Sequence, residues 1–214
     1  MKRKGFTIAE SLITMVIIGI VAALTIPTFV ASQRKHAYAT ILASTVSTLE
    51  KTFVVSMMKQ NANNFYDTDL LEENNAGSFI RKLNIISNNI NISDDNQVVT
   101  LTLKNGAVVT FMNITNRDNS ARNEEEVLSE GGSLFSIVGM VQIDVNGAKS
   151  PNDTGKDQFV AYIGCDGKLY SMNGRDFAIY SNDEPVDPKV ECVDNDNLEY
   201  CGAYLFENGF KMDY

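Results

Sequence analysis

Residues 1–30 read MKRKGFTIAESLITMVIIGIVAALTIPTFV and set the organisation of the whole chain. A basic leader at 1–4 meets Gly5, and a nearly continuous apolar run follows at 6–30. The part at 11–30 has about the length that a helix needs to cross a bilayer. Because the basic residues precede the run, we expect the N-terminus to stay in the cytoplasm and the remainder to be exported.

A cleaved secretory signal is the alternative interpretation of the same residues. The apolar run is longer than the roughly 7–15 residues of a signal's hydrophobic region. No small-x-small cleavage site separates it from the sequence QRKHAY at 33–38, which continues a helical pattern. These two features favour a retained membrane anchor.

Glu10 is the one carboxylate in the apolar run. A charge at mid-bilayer costs about 2.5–3.5 kcal/mol, so Glu10 indicates either a position among the headgroups or a functional partner. If the chain were cut after Gly5, Phe6 would carry a new amine four residues before Glu10. A subunit could then neutralise its neighbour's amine with its own carboxylate, and the pairing would drive assembly where water is scarce.

The segment at 5–29, GFTIAESLITMVIIGIVAALTIPTF, resembles the N-terminal segment of type IV pilins and type II secretion pseudopilins. The pair Ile8-Ala9 stands where that family usually has an apolar pair such as Leu-Ile, which is a mild departure. Besides the apolar run, the resemblance rests on Gly5, Phe6, Thr7, Glu10 and Pro27.

The resemblance implies two processing steps and one assembly contact. A prepilin peptidase would cleave between Gly5 and Phe6 on the cytoplasmic side, and Phe6 would be N-methylated. The apolar helices would pack into a filament core, with Glu10 meeting the Phe6 amine of a neighbouring subunit. The resemblance also implies a single-pass protein of the bacterial cytoplasmic (inner) membrane and an inner-membrane assembly platform as partner.

The predicted function is therefore that of a structural subunit of a pilus or pseudopilus, polymerising with copies of itself or with other pilin-like subunits. The alternative is a membrane-anchored, exported ligand-binding protein that never polymerises. An anchored hydrolase would need convergent carboxylates, which the sequence does not single out. No nucleophile, phosphate-loop or metalloprotease motif is present, and the one histidine, His36, lies beside Arg34 and Lys35, so we predict no enzyme.

Charge is distributed unevenly along the chain. The first 51 residues carry six basic and two acidic side chains, or +4, whereas the whole chain carries −9, which leaves −13 for the rest. A strongly acidic exported part disfavours binding to the phosphates of nucleic acid, so no nucleic-acid partner is expected. Most of these carboxylates are expected to serve solubility.

Four segments are predicted: a leader at 1–5, a transmembrane or filament-core helix at 6–30, an amphipathic continuation at 31–60 and an exported globular domain at 61–214. One helix is expected from about Phe6 to about Lys59, with Gly19 and Pro27 as potential weak points. Its second half carries an apolar stripe at steps of three or four, which predicts packing on the globular domain. The stripe comprises Tyr38, Leu42, Val46, Leu49, Phe53 and Met57.

The remainder predicts an α+β, pilin-like domain whose antiparallel sheet has about four or five strands. The strongest signals are two β-rich runs joined by Asn105-Gly106 and two more joined by Asp166-Gly167, both typical of hairpins. A further strand is predicted at 135–145 and a short helix at 69–83. The polar stretch at 84–97, NIISNNINISDDNQ, is predicted to be a loop.

Cys192 and Cys201 are predicted to form a disulfide around the acidic loop between them, because an exported domain can keep such bonds. Cys165 is then left over and is expected to pack as a small apolar residue near a turn. No CxxC pair is present, which argues against zinc or thioredoxin chemistry.

The segment at 143–159, IDVNGAKSPNDTGKDQF, crowds oxygen donors into a glycine-containing connection between two predicted strands. Asp144, Asn146, Asp153 and Asp157 are donors of the type that Ca²⁺ prefers, although the spacing is not that of an EF-hand. The resemblance adds modest weight to calcium, because some pseudopilins hold that ion in a loop. The alternative, which we favour, is an Asx-rich connection whose side chains cap its own backbone.

Overall fold

The computed structural model describes residues 7–83, 85–115, 137–171, 187–195 and 197–214. Its first element is a 52-residue helix, α1, at Ile8–Lys59, which continues through Pro27. The helix ends where Asn61 adopts a positive φ of 53° and the amide of Ala62 donates to the carbonyl of Met57 at 3.0 Å. Asparagine tolerates this left-handed conformation, which terminates helices, so the predicted end near 60 is confirmed.

The chain divides into two compact units, one ending at Ala37 and the other comprising Tyr38–Tyr214. In the described part of the first unit, nearly all side chains are exposed although most are apolar. By length and composition α1 is the one described helix that could cross a membrane. In this unit the hydroxyls of Thr14, Thr25 and Thr28 each donate to a backbone carbonyl one turn earlier in the helix. These donors therefore need no hydrogen bond from water.

In the second unit, the apolar stripe of α1 is buried as predicted. Leu42, Leu49 and Phe53 have no exposed surface, and Val46 and Met57 are at most 5 % exposed. Tyr38 is partly buried and packs against the same core. The stripe is therefore the face through which this half of the helix joins the globular unit.

An antiparallel sheet follows, with its strands in chain order, and the predicted α+β class is confirmed. The described residues hold six strands instead of four or five. Their bounds are β1 Asn89–Ile92, β2 Val99–Thr102, β3 Val108–Met112, β4 Ile137–Asp144, β5 Gln158–Gly164 and β6 Leu169–Ser171.

The extra strand is β1, and the loop predicted at 84–97 is wrong there. Asparagine is depleted in strands, so the sequence NINI gives a weak strand signal. Pairing with β2 supplies the backbone hydrogen bonds that the local sequence does not specify, with Ile90 opposite Leu101. Ile92 packs against the core, whereas Ile90 is 49 % exposed because β1 is the edge strand.

Both predicted hairpins are confirmed. Gly106 has φ +90° between β2 and β3, and Gly167 has φ +79° between β5 and β6. These are values that glycine adopts without strain, which is why Asn-Gly and Asp-Gly are such strong turn signals. The predicted strand at 135–145 is β4, and its first two positions lie outside the described residues.

The single short helix predicted at 69–83 is instead broken. Short 3₁₀ turns form at Phe65–Asp67 and Asp69–Leu71, and the second helix, α2, spans Ala76–Leu83. The break occurs because Asn74 has φ 49° and the Asn75 Oδ1 accepts the amide of Ser78 at 2.8 Å, as a residue that caps a helix does. Polar Asx residues thus compete with the helix that periodicity alone predicts.

The C-terminal part contains the predicted disulfide between Cys192 and Cys201. A π-helical turn at Val190–Asp194 carries the first cysteine, and the second begins the last helix, α3, at Cys201–Glu207 after a 3₁₀ turn at Leu198–Tyr200. Cys165 lies outside this bond and is half-buried against the core beside the β5–β6 turn.

Replacing Cys192 and Cys201 together by serine is expected to lower the free energy of unfolding by about 2.5–3 kcal/mol, because the disulfide closes a loop of about ten residues in the unfolded chain. Denaturant titration of the oxidised protein and the double variant would measure this loss. Cys165→Ser is the matched control and should change stability by less than about 1 kcal/mol. Equal stability of the double variant and the wild type would contradict the prediction.

Candidate functional site

The residues predicted to be processed, Gly5 and Phe6, lie outside the described part of the chain. Their roles in cleavage and methylation therefore stay predictions. The described structure begins beside them, at Thr7, and shows how Glu10 is held at the start of α1.

Thr7 and Glu10 form a reciprocal cap at the N-terminus of α1. The Thr7 amide and hydroxyl each lie 2.8 Å from Glu10 Oε2, and the Glu10 amide lies 3.3 Å from Thr7 Oγ1. This is the capping-box arrangement that the spacing Thr-x-x-Glu favours. Both Thr7 donors use the same oxygen, so among the described residues Glu10 Oε1 is left available to a partner.

The sequence interpretation singled out Glu10 and missed this cap. The signal was present, because a threonine three residues before a glutamate at the start of an apolar run predicts a helix N-terminus. The cap gives Glu10 a role within its own subunit besides any role in assembly. It also keeps the carboxylate at the end of the helix, where burial of a charge costs less than at its centre.

The oxygen-rich connection between β4 and β5 is organised by Asp157, whose side chain is fully buried. Its Oδ1 accepts the amide of Asp153 at 2.8 Å. Its Oδ2 accepts the amide of Asn152 at 2.8 Å and the Asn146 Nδ2 at 2.9 Å. A charged acceptor shared by three donors fixes the backbone of the loop.

The other predicted ligands have different partners. Asp144 Oδ1 accepts the amide of Asn146 at 3.1 Å, and Asp153 Oδ2 pairs with Lys156 Nζ at 2.9 Å. Asn146 Nδ2 also donates to the Tyr38 hydroxyl at 2.9 Å. The side chains thus bind the loop's own backbone and its neighbours, which is the alternative that the sequence left open.

The pKa of the Asp144 carboxyl is raised, mainly because the side chain is partly buried. Partial desolvation raises the pKa of this carboxyl, and the nearby Asp157 carboxylate raises it further. The amides of Asn146 and Gly147 oppose the shift by donating to Asp144. The two carboxylates, one at each end of the loop, therefore lie near each other.

A calcium ion would suit one feature of this loop: Asn146 Oδ1 is buried and accepts no hydrogen bond among the described residues. Against that, the described residues contain no group of three or more acidic, histidine or cysteine side chains placed to hold a metal. Binding of calcium by Asp144, Asn146, Asp153 and Asp157 therefore stays a prediction. Melting curves with millimolar calcium and with a chelator would test it, using Asp144→Asn as the variant that should abolish any calcium-dependent rise.

Comparison with known proteins gives one match. Residues 1–26 match the family model described as the prokaryotic N-terminal methylation motif. No curated protein and no solved structure matches the chain. The match thus covers the leader, Thr7, Glu10 and most of the apolar run, and it does not reach the globular unit.

Proposed function

We propose that this chain, whose first 26 residues carry the prepilin-cleavage signature of type IV pilins and pseudopilins, is a structural filament subunit of a type IV pilus or of a type II secretion pseudopilus. The single observation that carries the proposal is the methylation motif. Prepilin peptidase removes residues 1–5, and the new N-terminal Phe6 is methylated. The mature subunit then assembles through α1.

The first unit supports this proposal by its surface. Its helical side chains are apolar and exposed, which in water would be unfavourable and in a bilayer or filament core is favourable. Glu10 lies at the start of this surface with one carboxylate oxygen bound by Thr7. A neighbouring subunit's Phe6 amine would be the natural partner for the other oxygen, because opposite charges attract strongly where water is scarce.

The second unit supports an exported position. It contains a disulfide, which forms and persists outside the cytoplasm, and the chain beyond residue 51 is strongly acidic. We propose that the N-terminus is cytoplasmic, that the acidic unit faces outward and that it makes the contacts with cargo or surfaces. The assembly platform of the inner membrane is the proposed partner for extraction of the subunit from the bilayer.

Processing is tested by intact mass and N-terminal sequencing of the protein extracted from the membrane of a host with a prepilin peptidase. The expected product begins at methylated Phe6. Gly5→Leu should block cleavage and leave Met1 in place, because the peptidase must fit the residue before the scissile bond. A wild-type chain that keeps residues 1–5 in this host would contradict the proposal, and a start after Ala31 would indicate a secretory signal.

Assembly is tested separately by Glu10→Gln, which removes the charge and keeps the shape of the side chain. We expect normal cleavage but at least about a tenfold loss of sheared filaments, since pairing with an amine depends on the charge. Ser11→Ala, one residue further along the helix, is the matched control and should assemble normally. Wild-type filament yield from Glu10→Gln would show that Glu10 does not drive assembly. Absence of filaments from the wild type as well would favour the alternative, an anchored ligand-binding protein that does not polymerise.

A further inference from the structure

The connection between β4 and β5 is held from outside by the C-terminal part of the chain. We call residues 146–157 the Asx loop, and the described residues 190–195 and 197–214 the C-terminal clamp. The clamp contains both cysteines of the disulfide and ends at Tyr214. Both parts belong to the second unit.

Gly155 is the point at which the clamp meets the Asx loop. It is buried, with φ +79°, and a Cβ at this position would lie only 2.3 Å from the carbonyl oxygen of Leu198. The Tyr214 hydroxyl donates to the Gly155 carbonyl at 2.7 Å. Two distant positions of the clamp, Leu198 and Tyr214, thus contact one glycine of the loop. A larger residue at position 155 would push the clamp away from the loop.

The disulfide is the centre of the clamp. Cys192 and Cys201 are 2 % and 0 % exposed, and with Tyr204 they form a small buried cluster distinct from the main core. Leu198 and Tyr214, the two residues that contact Gly155, pack against this cluster. The ring of Tyr214 lies 6.2 Å from that of Tyr204. A cluster this small buries little apolar surface, so it depends on its cross-link.

The boundary between the clamp and the loop is incompletely packed. A cavity of about 270 Å³ lies there; its walls come from Thr154, Gly155 and β5 on one side and from Leu198, Gly202 and Ala203 on the other. Fewer contacts across a boundary make it easier to open than a close-packed core. Although Leu205 and Met212 of the clamp belong to the main core, we expect this boundary to open at a lower free energy than the sheet.

We propose that the C-terminal clamp is a redox-dependent device that fixes the Asx loop only after Cys192 and Cys201 have been oxidised. The two thiols lose two protons and two electrons as the sulfur–sulfur bond forms. A disulfide-containing thiol oxidant of the exported compartment accepts them and is reduced to its dithiol. Before export, with both thiols reduced, the clamp does not hold Gly155, so the final shape of the loop appears only outside the cytoplasm. This holds whether or not the chain forms filaments.

Amide hydrogen exchange of the full chain in detergent tests the proposal. In the oxidised protein, the amides of Asn152, Asp153 and Gly155 should be protected, because the first two donate to the Asp157 carboxylate and the third donates to the carbonyl of Gln158. In the Cys192→Ser/Cys201→Ser variant they should exchange at least about tenfold faster than the variant's measured loss of unfolding free energy accounts for, while the amides of β3 accelerate by no more than that loss. Cys165→Ser is the control and should match the wild type throughout.

Gly155→Ala provides a second, independent test in which the disulfide stays intact. The added methyl group should displace Leu198 and accelerate the same loop amides about tenfold or more beyond what the variant's loss of unfolding free energy accounts for. The amides of β3 should again accelerate by no more than that loss. Any other pattern in this variant overturns the proposal, including amides of β3 that accelerate by the same factor as those of the loop. If the amides of the loop and of β3 accelerate by the same factor in the cysteine variant, the clamp and the sheet open together and the proposal is overturned. If β3 stays protected in the cysteine variant and the loop amides keep their wild-type rates, the proposal is overturned too.

Discussion

Phe53→Ala is expected to lower the free energy of unfolding of the second unit by about 3–5 kcal/mol, the range found when a buried phenylalanine is truncated. Phe53 lies on the apolar stripe of α1 and has no exposed surface. Its ring centroid is 5.6 Å from that of Phe65, 6.1 Å from that of Phe79 and 6.5 Å from that of Phe111. The contacts with Phe65 and Phe111 are edge-to-face and add to the burial of area, so truncation removes both contributions.

The position of Phe53 explains why the effect should be large. The ring joins α1 to the 3₁₀ turn that contains Phe65, to α2 and to β3, which are far apart in the sequence. Truncation leaves a cavity among elements that cannot all move inward, so little of the lost packing is recovered. Phe53→Leu, which keeps much of the volume, should cost less than about 2 kcal/mol.

Denaturant titration of the detergent-solubilised chain, followed by tyrosine circular dichroism, measures this loss. Val55→Ala is the matched control: it lies on the same helix, is 48 % exposed and should change stability by no more than about 0.5 kcal/mol. A loss below about 1 kcal/mol for Phe53→Ala would show that this ring is not at the centre of the core.

Asp157→Ala should lower the free energy of unfolding by about 3–5 kcal/mol, because it removes a buried charged acceptor and leaves its donors unpaired. The donors are the amides of Asn152 and Asp153 and the side-chain amide of Asn146, at 2.8, 2.8 and 2.9 Å. Asp157→Asn keeps one acceptor oxygen but places an NH₂ group against a donor. We expect an intermediate loss of about 2–3 kcal/mol.

Asp153→Asn is the control for charge in the same loop. Asp153 pairs with Lys156 at a site where both side chains are about half exposed, so the loss should not exceed about 1 kcal/mol. The same titrations compare all three variants. Equal losses for Asp157→Asn and Asp153→Asn would show that Asp157 contributes no more than an exposed ion pair does and that it does not organise the loop.

The predictions made from sequence succeeded where a local pattern specifies a local structure. The apolar run and the stripe that follows it have the helical period, and α1 extends over both. Asn105-Gly106 and Asp166-Gly167 specify turns through the one residue that takes a positive φ without strain, and both hairpins form there. Cys192 and Cys201 are close in sequence, so the loop between them suffices to bring them together.

The predictions failed where polar residues compete with periodicity. At 69–83, Asn74 and Asn75 interrupt the expected helix by supplying their own turn and cap. At 89–92, asparagines weaken the strand signal in the sequence, and the strand forms because it pairs with β2. In both places the local sequence leaves two conformations close in free energy, and the surrounding structure selects one.

For the candidate site, the sequence by itself determined the apolar helix and the position of Glu10, because hydropathy and spacing along one helix need no tertiary partner. The same sequence contains four side-chain oxygen donors at 144–157, but it does not indicate which of them is buried. Only the tertiary structure decided that Asp157 is the buried one and that Gly155 meets Leu198 and Tyr214. Those contacts join residues up to 59 positions apart, and such pairings depend on how the sheet and the C-terminal segment pack, which no local pattern encodes.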